Sequence, residues 1–257
     1  MERFISRLAN VALSLNRRRK RGDAFPFDFL ALGVIYRLLA ILPFPIRITV
    51  NGATISYRFP TANAAAAGIH ILATERPLLR DVMIAVESSD VFYDIGANVG
   101  IFAAAVQGKT YAFEPIPANI MALLQNLYSS DSRLIGVALS NQPGLMWVNE
   151  TDVREGSPTA ALRKEDGGIG LARMELDGID LPPPSVVKID VEGAELAVLR
   201  GATETFSKES CRRLYVEVHE GEGVAYDKVE SILSDCGFSS FEVIDKRGDE
   251  RFVRAMK

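Results

Sequence analysis

The chain has 257 residues, 48% of them hydrophobic and 24% charged, which is the balance of a folded globular protein and excludes a disordered chain. Its net charge of −4 is unevenly placed, because residues 1–60 hold ten Lys and Arg against three Asp and Glu, which leaves −11 for the remainder. This distribution argues against a nucleic-acid surface on the main domain. Two distant cysteines, Cys211 and Cys236, lack a metal-like spacing, so we expect reduced core thiols in a cytoplasmic protein, with a disulfide as the lesser alternative.

The N-terminal segment combines apolar and basic residues. Apolar side chains recur at helical spacing from Phe4 to Leu15, and the basic run Arg17–Arg21 follows, so this stretch predicts an amphipathic helix. Residues 25–48 are largely apolar, but charged residues and prolines interrupt them well short of the ~20 residues that a spanning helix needs. We therefore predict no transmembrane helix. A signal peptide also fits poorly, because the basic run follows the apolar stretch.

Two interpretations of this segment stay open. In one, residues 1–48 contact the anionic inner face of a membrane, where each Lys or Arg near the surface contributes ~1 kcal/mol. In the other, a helical cap packs on the main domain and the basic loop is solvated. We slightly favour this second interpretation, because runs of charged residues are common on ordinary helices. We divide the chain into an N-terminal extension, residues 1–60, which includes the start of a β-hairpin, and a main domain, residues 61–257.

The hairpin is the first regular element predicted after the extension. Two alternating runs, Ile46–Val50 and Thr54–Phe59, flank Asn51 and Gly52, a dipeptide typical of a tight hairpin turn. A helix is then predicted over Leu78–Val86, with Thr74-Glu75-Arg76-Pro77 as its start signal.

A glycine loop joins a predicted buried strand, Val91–Ile95, to a predicted helix, Ile101–Val106. Gly96 and Gly100 let the backbone approach a ligand closely, and the start of a helix offers unpaired N–H groups to an anion. The plainer alternative is a tight turn without a ligand.

The next predicted strand, Thr110–Phe113, ends at Glu114. Because the carboxyl ends of neighbouring strands in a doubly wound sheet face one crevice, we expect Glu114 beside the glycine loop, where its carboxylate can accept both hydroxyls of a ribose. Eighteen residues separate it from Gly96, close to the ~20 expected for this arrangement. The alternative is a strand-end residue before proline.

The following segment predicts a helix over Ala118–Tyr128, a third strand over Leu134–Leu139 and an extra strand over Leu145–Val148. Residues 151–170 are rich in Gly, charge and Ser/Thr, so they predict a mobile loop that closes over a substrate. A further buried strand is predicted over Ser185–Asp190.

Four polar residues stand at the ends of the last two predicted parallel strands. Asp190 and Glu192 lie at the carboxyl end of the strand over Ser185–Asp190. Glu217 and His219 lie two residues apart, on one side of the next predicted strand, Leu214–His219. A helix and a closing hairpin complete an alternating order, which predicts a mostly parallel α/β sheet with an antiparallel edge strand. A nucleotide-like ligand belongs at the switch point of such a sheet.

The glycine loop lacks the motifs of two common nucleotide sites. From Gly96 it runs Gly-Ala-Asn-Val-Gly-Ile, without the middle glycine that lets a pyrophosphate approach, so NAD is disfavoured. The absence of a Gly-x-x-x-x-Gly-Lys-Ser/Thr sequence leaves P-loop ATP hydrolysis without support. Asp94, the acidic residue before the loop, suits a ligand that carries an amine and a ribose, such as S-adenosylmethionine.

Four segments of the chain form a recognisable set. They are Tyr93-Asp94-Ile95-Gly96-Ala97-Asn98-Val99-Gly100; Phe113-Glu114-Pro115-Ile116-Pro117-Ala118-Asn119; Val187-Lys188-Ile189-Asp190-Val191-Glu192-Gly193-Ala194-Glu195 with Leu199-Arg200-Gly201; and Val216-Glu217-Val218-His219. In combination they resemble the FkbM-type S-adenosylmethionine-dependent methyltransferases, from about Arg80 to the C terminus. The resemblance implies a class I methyltransferase fold with a seven-stranded, mostly parallel sheet, and O-methylation of sugars or other small hydroxyl-bearing metabolites.

The resemblance also implies roles in binding S-adenosylmethionine. The residues implied for the methionine part are Asp94, Gly96, Asn98 and Gly100. Glu114 would bind the ribose, and adenine would lie near Ala138, within residues 137–140. Asn98 stands where many methyltransferases have a middle glycine, and Asn tolerates the left-handed conformation.

For methyl transfer the protein aligns the acceptor oxygen with the methyl group and removes a proton. His219 is our first choice of base, because an unperturbed pKa near ~6.5 suits neutral pH; the alternative is a structural histidine. Asp190 or Glu192 is the second choice, as a base or as a grip on sugar hydroxyls, and Glu217 completes the candidate catalytic set. A carboxylate acceptor, as on a hexuronic acid, needs no base. A divalent ion on these acids is conceivable, but their spacing does not indicate one and we predict no metal.

Two other classes of function stay open. One is an NAD- or nucleotide-sugar-dependent oxidoreductase, against which the missing glycine argues, and the other is a noncatalytic membrane-associated binding module. The partner that we expect is a small-molecule or glycan acceptor. A basic N-terminal segment beside a membrane would fit a glycan that is linked to a lipid. No nucleic-acid partner is expected.

Overall fold

The computed structural model describes residues 2–42, 44–127, 131–149 and 168–257. The α-helices in these ranges are α1 (Glu2–Lys20), α2 (Pro26–Ile41), α3 (Ala62–Thr74), α4 (Arg76–Ala85), α5 (Pro117–Asn126), α6 (Glu195–Arg200), α7 (Thr203–Ser207) and α8 (Tyr226–Asp235). The strands are β1 (Ile46–Val50), β2 (Ala53–Tyr57), β3 (Val91–Ile95), β4 (Lys109–Phe113), β5 (Arg133–Ile135), β6 (Ala138–Leu139), β7 (Gly144–Val148), β8 (Ile169–Met174), β9 (Val186–Ile189), β10 (Arg213–His219), β11 (Ser240–Arg247) and β12 (Glu250–Met256).

Seven strands form one sheet in the order β11-β12-β10-β9-β3-β4-β5. β12 runs antiparallel to both of its neighbours, whereas β10, β9, β3, β4 and β5 pair in parallel. Ile95 is in register with both Phe113 and Ile189, so the carboxyl ends of β3, β4 and β9 lie side by side where the strand order reverses, the place for a ligand. The predicted seven-stranded, mostly parallel sheet is confirmed, and its antiparallel strand lies next to the edge strand β11.

The predicted helix over Ile101–Val106 is wrong, because this segment forms turns. A continuous helix needs the Ala103 N–H to donate to the Val99 carbonyl. Instead, that N–H donates to Asp94 Oδ2 at 3.0 Å, and that carbonyl accepts from Asn126 Nδ2 at 2.7 Å. The donor and the acceptor of this helical hydrogen bond are thus each bound by a side chain from another part of the chain.

A second, three-stranded sheet has the order β6-β8-β7. The third strand predicted over Leu134–Leu139 is divided between the two sheets, because the Val137 N–H donates to the Ile135 carbonyl at 3.0 Å and turns the chain after β5. β7 is the predicted extra strand, and β8 was not predicted. Residues 151–167 of the predicted loop lie outside the described residues, so closure of that loop over a substrate stays a prediction.

The N-terminal helix α1 packs on the domain. Its residues Ile5, Ala9, Ala12 and Leu13 are buried and belong to one core cluster with residues of the hairpin, α3 and α4. This packing agrees with the interpretation in which the N-terminal segment forms a helical cap on the main domain. Membrane contact and the division of the chain after residue 60 stay predictions. Among the described helices, none combines the length and the apolar character needed to cross a bilayer.

Two local predictions are confirmed. β1 and β2 pair antiparallel, and φ values of 50° at Asn51 and 80° at Gly52 are those of a tight hairpin turn with two left-handed residues. Cys211 and Cys236 are buried free thiols, and burial raises the pKa of Cys211 to about 12.

Candidate active site

Three residues of the loop after β3 have left-handed backbones. The φ angle is 76° at Gly96, 50° at Asn98 and 85° at Gly100. A Cβ atom added to Gly96 would lie 1.8 Å from the carbonyl oxygen of Asp190, so glycine is required where this loop passes the end of β9. Asn is one of the few L residues that adopt the left-handed conformation readily, which accounts for Asn98.

Glu114 fastens the glycine loop to the end of β4. Its Oε2 accepts from the Asn98 N–H at 2.9 Å, and its Oε1 accepts from the Ile116 N–H at 2.8 Å and from Asn119 Nδ2 at 3.3 Å. Burial raises the pKa of Glu114 to about 7, because its effect is larger than that of these hydrogen bonds, which lower the pKa. The residue lies beside the glycine loop, as its position at a strand end predicted.

Lys188 lies beneath the loop, buried on β9 and directly opposite Asp94 in the β3–β9 register. Its Nζ is 3.2 Å from Asp190 Oδ2 and 3.6 Å from Asp94 Oδ1, and it donates to the Gly96 carbonyl at 3.4 Å. Burial lowers the pKa of Lys188, but the charges of Asp190 and Asp94 outweigh burial and raise it overall. The charged ammonium therefore ties the ends of two strands to the loop.

Asp94 is fully buried and braces the loop from inside. One carboxylate oxygen accepts from the Ala103 N–H, and the other faces Lys188. Burial raises the pKa of Asp94, against the effect of Lys188. Oδ1 makes no hydrogen bond within the described residues, and the implied contact of Asp94 with the methionine part of a cofactor stays a prediction.

His219, at the end of β10, lies among carboxylates. Its Nδ1 is 2.5 Å from Glu195 Oε1, and its Nε2 is 3.4 Å from Glu192 Oε2 and 3.9 Å from Glu217 Oε1. Burial lowers the pKa of His219, but the hydrogen bond to Glu195 and the nearby carboxylates outweigh burial and raise it to about 9. The imidazole is therefore protonated at neutral pH. The pKa of His219 thus differs from the unperturbed value that was expected, and its role as the base stays a prediction.

Glu192 occupies a strained turn between β9 and α6. Its φ angle is 47° and that of Gly193 is 90°, and a left-handed backbone at a glutamate costs on the order of 1–3 kcal/mol that the surroundings must supply. Burial and the charge of Asp190 both raise the pKa of Glu192, and the charge of His219 lowers it. Together they bring the pKa of Glu192 to about 7. A carboxylate with this pKa is suited to exchange protons near neutral pH.

Glu217 lies on the inner side of the same cluster. Burial, with the charges of Asp190 and Glu75, raises its pKa. Three sets of side chains bring one ligand atom each within 4.8 Å of one another: Asp190, Glu192 and His219; Glu217, His219 and Glu250; Glu75, Asp190 and Glu217. Only the set of Glu75, Asp190 and Glu217 consists entirely of the oxygen donors that a hard divalent cation prefers, and its proximity is also accounted for by the ammonium of Lys188, which is 3.2 Å from Asp190.

An open cleft with a cavity volume of about 250 Å³ lies over the carboxyl ends of β3, β4 and β9. Six predicted site residues line it: Gly96, Asn98, Glu114, Ala138, Asp190 and Glu192. The other four are near but are not among the described residues that line it: Asp94, Gly100, Glu217 and His219. The structure therefore brings together the predicted cofactor loop, the ribose carboxylate, the adenine segment and two of the four catalytic candidates.

Three residues of the site were not assigned a role from the sequence. Lys188 neutralises Asp94 and Asp190, Glu195 sets the charge of His219, and Arg173 lines the cleft opposite Ala138 in the β6–β8 register. The role of Lys188 could have been found from the sequence, because a lysine within a buried apolar strand almost always has a charged partner. Glu195 and Arg173 carry no such local signal.

A seven-stranded sheet in this order, with one antiparallel strand next to the edge and a cleft at the switch point, is the architecture of a class I methyltransferase. Residues 94–240, more than half of the chain, match the family described as the methyltransferase FkbM domain. The chain therefore belongs to the FkbM family of methyltransferases.

Relatives of known name agree with this assignment. Hexuronic acid methyltransferase AglP of Haloferax volcanii is 31% identical over 195 residues, which cover 72% of this chain and 78% of that protein. Methyltransferase sdnD of Sordaria araneosa is 28% identical over 194 residues, which cover 59% and 74%. The crystal structure of methyltransferase FkbM from Methylobacillus flagellatus shares the fold with a TM-score of 0.53 at 16% identity, over 76% of this chain and 54% of that one.

Proposed function

We propose that the protein transfers a methyl group from S-adenosylmethionine to an oxygen atom of a sugar or glycan. The observation that carries the proposal is one cleft that is lined by Gly96 and Asn98 of the glycine loop, by Glu114 and by the acidic residues Asp190 and Glu192. The family membership favours methyl transfer over the oxidoreductase and the noncatalytic binding module.

The residues at the glycine loop fit S-adenosylmethionine. The carboxylate of Glu114 has about four acceptor positions, and protein donors take three of them, which leaves room for one ribose hydroxyl rather than the two expected from the sequence. The side-chain oxygen of Asn98 is buried and has no hydrogen-bond partner among the described residues, so a polar group of the cofactor at the cleft would satisfy it.

The adenine is proposed to lie against the segment around Ala138. Val137, Ala138 and Leu139 line this part of the cleft with Ile116, which provides apolar surface for a flat ring. A Cβ atom on Gly201 would lie 1.9 Å from the Ser140 carbonyl oxygen. The close approach of α6 to this segment thus depends on glycine and holds the apolar wall in place.

Glu192 replaces His219 as the proposed base. When bound, S-adenosylmethionine supplies a methyl group already activated by the positive sulfur. The chain has to orient the acceptor and take its proton, and Glu192 lines the cleft with a pKa of about 7. The protonated His219, 3.4 Å behind it, positions Glu192 and lowers its pKa. Asp190 stays bound to Lys188, which suits a positioning role.

The acceptor class follows from the relatives and from the charges of the cleft. AglP is a hexuronic acid methyltransferase by name, which supports a sugar acceptor and makes a carboxylate one candidate for the accepting group. The carboxylates of Asp190 and Glu192 in the cleft favour a neutral hydroxyl, because like charges repel, whereas the guanidinium of Arg173 in the same cleft would attract a carboxylate. A lipid-linked glycan would carry either group.

The Glu192→Gln variant is expected to lose about 10²–10⁴-fold in kcat on a hydroxyl acceptor, the usual contribution of a positioned base, with little change in KM. In the unaltered enzyme kcat/KM should rise with pH and level off above about 7, because Glu192 accepts a proton only when it is deprotonated. His219→Ala should move this rise to higher pH, since it removes the positive charge that lowers the pKa of Glu192. Initial rates across pH with labelled cofactor measure both effects.

The exposed carboxylate of Glu222 provides the control, because it lies on the neighbouring loop and its change to Gln should leave the pH profile intact. Unchanged turnover of Glu192→Gln on a hydroxyl acceptor would remove Glu192 as the base.

The accepting group is identified by the stability of the product. The protein is incubated with S-adenosylmethionine carrying a labelled methyl group and with two glycans that differ only in a hexuronate or a neutral hexose. A methyl ester is cleaved by mild base, whereas a methyl ether survives. Label on either sugar supports the proposal, and base treatment distinguishes the two oxygens. Label on neither glycan, from a preparation that binds the cofactor, would contradict it.

A further inference from the structure

Helix α2 is apolar on its outer side as well as on its buried side. Leu32, Ile35 and Leu39 face the core. The outer stripe consists of Phe27, Leu30, Val34 and Ile41, which are 79%, 63%, 48% and 75% exposed. Their spacing of three, four and seven residues places them on one face of the helix. Surface helices of globular domains normally carry polar residues on that face.

Further apolar side chains extend this stripe at both ends. Phe25 is 65% exposed just before α2, and Phe44 is 40% exposed just after it. The helix has 16 residues and is therefore about 24 Å long. An exposed apolar surface of this extent marks an interaction site. Within residues 1–48, for which membrane contact was expected, α1 buries Ile5, Ala9, Ala12 and Leu13 in the core, whereas α2 exposes this stripe.

Basic residues border the Phe25 end of the stripe. The guanidinium carbon of Arg18 lies 5.3 Å from the centroid of the Phe25 ring, which places the end of α1 beside the start of α2. Arg17 and Arg19 are exposed there, and within the described ranges no ion pair joins either of them to a carboxylate. Arg37 is exposed between Val34 and Ile41 on the stripe itself, where a long side chain can extend its charge to the lipid headgroups.

We infer that the outer face of α2, together with the basic end of α1, docks the protein flat on an anionic lipid bilayer. Aromatic and aliphatic residues along one face with arginines at its border are the combination by which interfacial helices bind anionic membranes. A neutral apolar partner would leave the arginines without counter-charges, so charge complementarity selects the bilayer. The inference does not depend on methyl transfer. If the proposed function also holds, it places the cleft on a molecule that can meet a lipid-linked acceptor.

Vesicle sedimentation of the full-length protein tests this docking. We expect binding to vesicles that contain phosphatidylglycerol, weaker binding to vesicles of phosphatidylcholine alone, and a decrease with added salt. A triple variant, Phe27→Ser with Leu30→Ser and Val34→Ser, should bind at least about tenfold more weakly, because it removes most of the apolar stripe. Arg17→Gln with Arg19→Gln should weaken binding to the anionic vesicles only.

Matched variants provide the controls. Ile84, Met121 and Leu124 are 57%, 59% and 53% exposed in α4 and α5, so their joint change to Ser removes similar apolar surface elsewhere and should leave vesicle binding intact. Lys208→Gln with Lys228→Gln is the corresponding charge control. Calorimetric binding of S-adenosylmethionine and the thermal unfolding midpoint show that each variant is folded. Equal vesicle binding by the α2 variant and the unaltered protein would overturn the inference. So would a dimer in solution that the α2 variant converts to a monomer, since the stripe would then be covered by a second copy.

Discussion

Gly96→Ala is expected to abolish most methyl transfer. The added Cβ atom would stand 1.8 Å from the Asp190 carbonyl oxygen, and the φ angle of 76° would add strain on the order of 1–3 kcal/mol. The loop and the end of β9 have to move apart, and a displacement near 1 Å of a positioning group can cost about 10²-fold in rate. We therefore expect kcat/KM for the cofactor to fall at least about 10²-fold. It is measured by varying labelled S-adenosylmethionine at a saturating concentration of the acceptor.

Gly178→Ala is the matched control for this prediction. The space around Gly178 is open within 4 Å of an added Cβ atom, and its φ angle is not in the left-handed region. This variant should keep its activity and its affinity for the cofactor. A fully active Gly96→Ala enzyme would show that the loop does not approach β9 as described.

Lys188→Met is expected to reduce stability more than the other substitutions considered. It removes the ammonium that lies 3.6 Å from Asp94 and 3.2 Å from Asp190, and it leaves a fully buried carboxylate without its charge partner. Breaking such a buried pair costs about 3–5 kcal/mol. We expect the free energy of unfolding, measured with urea at pH 8, to fall by this amount.

The pH dependence distinguishes this cause from a simple packing defect. Burial raises the pKa of Asp94 and Lys188 lowers it, so without the lysine the buried Asp94 carboxyl takes up a proton more readily, and the loss of stability should shrink as the pH is lowered. Adding Asp94→Asn to Lys188→Met should also recover part of the loss, which a double-mutant cycle measures. Lys246→Met, at an exposed position of β11, is the control. A loss that is constant from pH 5 to pH 8 would contradict the ion-pair explanation.

Much of the cofactor side of the site could be predicted because it depends on local signals and on one rule of topology. Gly96 and Asn98 belong to a turn that few residue types can form, and Glu114 follows a buried strand. Because parallel strands end at the same edge of a sheet, these positions had to meet. The structure places them together at the cleft.

The catalytic side depended on contacts between elements, which periodicity does not reveal. The charge of His219 is set by Glu195, which comes from α6, so the reference pKa of histidine gave the wrong protonation state. The helix expected after Gly100 does not form, because the Ala103 N–H donates to Asp94 and the Val99 carbonyl accepts from Asn126. The sequence likewise showed that α2 is apolar, but only packing shows which of its faces stays exposed.

Calorimetric titration of S-adenosylmethionine into the full-length protein tests the central claim most directly, namely that this cleft binds the methyl donor through the glycine loop. We predict saturable binding of one molecule per chain, which S-adenosylhomocysteine displaces, Gly96→Ala weakens strongly and Gly178→Ala leaves unchanged. No saturable heat with the unaltered protein, or equal affinity in Gly96→Ala, would contradict the assignment of the cleft.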